Sequence, residues 1–96
     1  MSMKNKLSPK QWELYEFIDK LLYYDWKPIP ADNLPRDEYE SYVPHIFGMV
    51  INGSSTIDIT EHLSMLEVKE IGLGGSWEHN LDIAEKIIGK KEELSL

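Results

Sequence analysis

Leu14, Phe17, Ile18, Leu21 and Leu22 recur at intervals of three and four residues, the spacing that lines side chains up on one face of an α-helix. The interval returns in Tyr39, Tyr42, Val43, Ile46, Phe47, Val50 and Ile51, then in Ile59, Leu63 and Leu66, and then in Trp77, Leu81, Ala84 and Ile88. A single such stripe cannot bury itself. Four of them must pack on one another, which predicts an all-α fold, a small antiparallel bundle of about four helices. Gly48–Ile51 and Thr56–Ile59 are strand-like in composition, but they lie inside the periodic segments and are read as helix.

The punctuation between the stripes agrees. Ser8-Pro9-Lys10-Gln11 is a helix start, with Ser8 as cap, Pro9 at the first helical position and Gln11 reaching back in a capping box. The first helix is expected to run to about Tyr24, and Pro28 and Pro30 stop any continuation. In the connector Asp25 to Leu34, Trp26 and Ile29 are expected to pack back onto the core. Pro35 opens a second helix whose first turn carries Asp37 and Glu38, where the helix dipole favours negative charge. Pro44 predicts a kink in it, and Asn52-Gly53 its end. Ser55 with Asp58 forms a capping box for a third helix reaching to near Ile71-Gly72, and Leu73-Gly74-Gly75 is a turn. Ser76 caps a last helix that Gly89 should end, leaving residues 1–7 and 90–96 as frayed tails of a single domain.

Ninety-six residues leave room for one core. The absence of cysteine removes disulfides, thiolate metal sites and thiol nucleophiles together. No run approaches the roughly 18 apolar residues of a membrane span, and Met1 to Lys10 lacks the apolar centre of a signal peptide, so a cytoplasmic location is expected.

Charge carries the functional signal. The net charge is −7, but residues 11 to 85 hold fifteen acids against four bases, a net of −11. Such a field repels phosphate backbones, which excludes nucleic acid as a partner, and attracts a basic protein. Acids and aromatic rings are densest at Asp25-Trp26 and at Asp37-Glu38-Tyr39-Glu40-Ser41-Tyr42. One reading is architectural: Asp37 and Glu38 answer the helix dipole, and the rings are buried with hydroxyls at the edge. The other is a recognition patch of rigid aromatic anchors with negative charge around them. On that reading the partner-binding set is Asp25, Trp26, Asp32, Asp37, Glu38, Glu40 and Tyr42, with Asp32 and Glu40 the most telling because no helix end requires them. Glu61, Glu67 and Glu70 form a second acidic group, expected on a solvated helix face.

Other chemistries find less support. His45, His62 and His79 are evenly spaced but fall on three different segments, without the one-turn or tight-loop spacing of metal ligands. His62 is expected at the core edge, and His45 and His79 in solvent. Gly72-Leu73-Gly74-Gly75 follows a helix and not a strand, unlike a phosphate loop, and no nucleophile elbow is present. The reading is therefore of a non-enzymatic protein with no cofactor and no metal. A small hydrolase or metal-dependent enzyme using clustered carboxylates stands as one alternative, and a homodimeric regulatory or structural subunit as another.

Asp25-Trp26-Lys27-Pro28-Ile29, followed by Pro35-Arg36-Asp37-Glu38-Tyr39-Glu40-Ser41-Tyr42, Asn52-Gly53-Ser54-Ser55, Ile71-Gly72-Leu73 and Ile83-Ala84-Glu85-Lys86-Ile87-Ile88, resembles a group of short bacterial helical proteins of uncharacterised function. The likeness covers about residues 14 to 88, with Pro30 standing where that group commonly has glycine. It implies an architectural role for these residues and brings no catalytic ones. In size and charge the chain is also similar in type to toxin-immunity proteins such as the colicin DNase immunity proteins, although their Tyr-Tyr-Pro signature is replaced here by Tyr23-Tyr24-Asp25. That likeness implies an immunity-type inhibitor whose partner is a basic toxin, for instance a nuclease domain.

Overall fold

The computed structural model describes residues 7–26, 36–68 and 76–96, the side chains of 36–39 excepted. Within them the chain is a small all-α bundle: α1 (Pro9–Leu21), a wider π-helical turn (Leu22–Trp26), α2 (Arg36–Ile51), α3 (Thr56–Leu66) and α4 (Trp77–Glu93). The described residues contain no strand. α1 packs chiefly on α2 and α3 chiefly on α4, while the contact between α2 and α3 is small.

Local chemistry sets the helix ends. The capping boxes of Ser8 with Gln11 and of Ser55 with Asp58 are both formed, each side chain satisfying a backbone N–H that the helix leaves without a partner. Ser76 Oγ accepts from His79 N at the start of α4. α2 is continuous across Pro44. It ends where Gly53, at φ +89°, lets its own N–H reach the Val50 carbonyl and the Ser54 N–H reach Met49, the two bonds of a Schellman stop.

Leu14, Ile18, Leu21, Val43, Ile46, Val50, Ile59, Leu63, Ile83 and Ile87 meet in one core; burial of each such side chain contributes roughly 1.5–3 kcal/mol. The π-helical turn sets the facing of the residues after α1. In an uninterrupted α-helix Asp25, four residues after Leu21, would fall on the buried stripe. The wider turn delays the chain by one residue, so Trp26 enters the core at 1 % exposure and Asp25 turns outward. The Trp26 ring meets the Tyr42 ring edge-to-face, with centroids 6.2 Å apart.

Three expectations are corrected. The buried stripe of α4 is Asn80, Ile83, Ala84 and Ile87, whereas Trp77 is exposed and Leu81 and Ile88 are half-buried. Gly89 does not stop α4, which runs on to Glu93; Lys90 ties this last turn to Glu13 of α1 at 3.0 Å, and Leu94 and Leu96 pack on the core. Glu67 is no solvated residue but is 2 % exposed. The expected stops at Pro28 and Pro30, the packing of Ile29, the Ile71-Gly72 end and the Leu73-Gly74-Gly75 turn lie outside the described residues, as does Glu70.

Candidate functional site

Between α1 and α2 lies a cleft of about 370 Å³, lined by Trp12, Tyr15, Glu16 and Asp19 from α1 and by Glu40 and Val43 from α2. The four α1 residues stand at i, i+3, i+4 and i+7, and the two α2 residues at i and i+3, so each helix presents one continuous strip to the cleft. The Trp12 and Tyr15 rings stack, with centroids 5.3 Å apart and planes 18° from parallel. Tyr15 in turn meets the edge of Phe47 at 5.4 Å. A rigid aromatic floor is thus anchored to the core from below.

The carboxylates set the electrostatics. Burial raises the Tyr15 phenol above its ordinary pKa of 10.0, and the negative charges of Asp19 and Glu40 push it further in the same direction. Among the described residues the ion pairs join Lys86 to Asp82 at 3.2 Å and to Asp25 at 3.9 Å, and Lys90 to Glu13 at 3.0 Å and to Glu93 at 3.4 Å. None of them neutralises Glu16 or Glu40, and both of these residues are exposed. The cleft therefore offers negative charge around a flat apolar surface, the complement of a cationic side chain with an aliphatic or planar body.

The residues predicted to bind a partner are divided by the structure. Glu40 lines the cleft. Trp26 and Tyr42 belong to the interior edge-to-face pair, Tyr42 half-buried. Asp25 is exposed on the other side of the π-helical turn, facing Lys86 of α4. Asp37 and Glu38 occupy the first turn of α2 with side chains outside the described set, and Asp32 lies outside it altogether. Trp12, Tyr15, Glu16, Asp19 and Val43 are not among the residues that sequence reasoning assigns to a site. Their signal is a second stripe on α1, beside the apolar one, in which Trp12 and Tyr15 are followed at helical spacing by the acids Glu16 and Asp19.

A buried polar cluster lies elsewhere, where the π-helical turn, α3 and α4 meet. Trp26 Nε1 donates to Asn80 Oδ1 at 2.9 Å, and Asn80 Nδ2 donates to Ser64 Oγ at 3.0 Å and to Glu67 Oε1. His79 Nε2 lies 3.3 Å from the Trp26 carbonyl. The Asn80 amide thus engages both of its ends, as a fully buried amide must. The cluster holds three elements in register and does not border the cleft.

Among the described residues no three of His, Asp and Glu are grouped so as to hold a metal ion, and no helix is long and apolar enough to cross a membrane. No known protein family matches the chain, and neither a curated protein nor a solved structure does.

Proposed function

We propose that the chain is a non-enzymatic binding protein that receives a cationic protein partner in the cleft between α1 and α2, and that it acts as an immunity-type inhibitor of a basic toxin. The observation that carries this reading is the stacked Trp12–Tyr15 floor flanked by Glu16, Asp19 and Glu40. Aromatic anchors supply contact area at low entropic cost, and the surrounding charge steers a basic partner and fixes its register. The acidic balance of residues 11 to 85 supports the same partner chemistry, as does the likeness in type to toxin-immunity proteins.

Calorimetry against a purified basic nuclease-toxin domain tests it. The reading expects tight one-to-one binding that weakens as salt is raised and falls at least tenfold in Glu16→Lys/Glu40→Lys, with loss of protection against the toxin. Affinity unmoved by the double substitution and by salt would remove the cleft from consideration.

A homodimeric subunit is the second reading, favoured by one feature. Ile57, Met65 and Val68 are exposed along one face of α3 and the turn after it. Light scattering of the purified chain separates the two, since a dimer sealed by that face would be broken by Met65→Glu.

A further inference from the structure

His45 on α2 and His62 on α3 carry no mutual relation in the sequence, yet their rings stack, with centroids 4.5 Å apart and planes 30° from parallel. They meet across the contact between α2 and α3, which is small, at the edge of the shared apolar core. His45 is exposed and His62 is half-buried. Stacked neutral imidazoles attract as other aromatic pairs do, whereas two imidazolium rings at this separation repel.

The surroundings do little to offset that repulsion. One turn to either side of His45 stand Ser41, Tyr42, Gly48 and Met49, and around His62 stand Asp58, Ile59, Met65 and Leu66. Asp58 is the single carboxylate in this set, and it is held in the Ser55 cap, where its Oδ2 accepts from Ser55 N at 3.3 Å. Among the described residues no carboxylate lies within ion-pair distance of either ring from any helix.

We propose that His45 and His62 form a pH-sensitive joint: stacked and closed when at least one ring is neutral, and pushed apart, loosening α2 from α3, when both are protonated. In keeping with this, burial lowers the pKa of His62 below its ordinary 6.5, and the charge of His45 lowers it further. A base whose folded-state pKa is depressed contributes stability that is fully present above its unfolded value near 6.5 and is lost as the pH falls through the folded one. The joint therefore holds at neutral pH and weakens in mildly acidic surroundings, the range in which histidine works as a switch.

Two measurements on the full chain test the proposal. In an NMR titration of the imidazole protons, His62 should take up its proton below the ordinary 6.5, contacts between the His45 and His62 rings should vanish as it does, and His45→Gln should raise the pH at which His62 titrates. Thermal unfolding at pH 7.5 and 5.5 should show the wild type losing about 4 °C more than His45→Gln/His62→Gln. Titration of His62 unmoved by His45→Gln, or ring contacts that persist after both rings are charged, would overturn it. Should the double variant not fold, the wild-type titration still decides.

Discussion

Replacing Asn80 by alanine should destabilise the domain by about 3–5 kcal/mol. The side chain is fully buried and bridges three groups: the Trp26 indole at 2.9 Å, Ser64 Oγ at 3.0 Å and the Glu67 carboxylate. Truncation withdraws an acceptor from the indole and a donor from a carboxylate that is itself buried, and each polar group so deprived in an interior costs about 1–3 kcal/mol, more when it is charged. Two such losses with a small cavity give the stated figure. That is a large part of the roughly 5–14 kcal/mol available to a domain of this length, and it corresponds to a Tm lower by roughly 15–30 °C. Urea unfolding followed by circular dichroism and by tryptophan fluorescence reads it directly. Removing the carboxylate as well, in Asn80→Leu/Glu67→Met, should recover the part of the loss that belongs to Glu67, because no buried charge is then left facing an apolar group, while the loss of the Asn80 acceptor to the Trp26 indole persists. A midpoint for Asn80→Ala within about 1 kcal/mol of wild type, or a double variant no better than the single, would refute the bridging role.

Helix ends and titrating groups give further expected outcomes. A Cβ at Gly89 would meet nothing within 4 Å in the middle of α4, so Gly89→Ala should stabilise by about 0.5–1 kcal/mol, whereas Gly53→Ala, at φ +89°, should cost about 1–2 kcal/mol in the same denaturation assay. Ser55→Ala removes the α3 cap and should cost about 1 kcal/mol, read as a fall in the urea midpoint with an unchanged slope. The phenol that disappears from an ultraviolet titration on Tyr15→Phe should ionise above pH 10.0, and Glu40→Gln should bring it down. Since the fold holds that proton more tightly than the unfolded chain, the stability associated with it is present below pH 10 and declines as the pH rises beyond.

Much of the fold could be read from spacing and caps because those signals are local. Ser8 with Gln11, Ser55 with Asp58, and Gly53 each act within one turn, and the stripes of α1 and α3 fall where the period puts them. The misplaced α4 stripe and the burial of Glu67 share one cause, a polar residue buried by a partner distant in sequence, and α4 runs past Gly89 because Lys90 pairs with Glu13 of α1. Asn80 opens the buried stripe of α4, and a polar residue at that position draws the apolar reading one residue on, to Leu81 and Ile88 in place of Ile83 and Ile87. Ser64 and Glu67 lie on the face of α3 that Asn80 meets from α4, and Glu67 is buried there. Trp26 packs on the core as its sequence predicts, but the π-helical turn that carries it there, and that turns Asp25 outward, is announced by no periodicity. Of the candidate site, Glu40 is visible in sequence as an acid that no helix end needs. The rest is hidden because a cleft belongs to two helices at once, and the strip on α1 acquires meaning only beside α2.

The central claim is that a basic partner enters between α1 and α2. Mapping amide and indole chemical shifts of the labelled chain as a purified basic nuclease-toxin domain is added tests it most directly. The largest changes should fall on Trp12, Tyr15, Glu16, Glu40 and Val43, and should reverse on raising salt. Changes centred instead on the exposed face of Ile57, Met65 and Val68, or spread evenly without saturation, would contradict it.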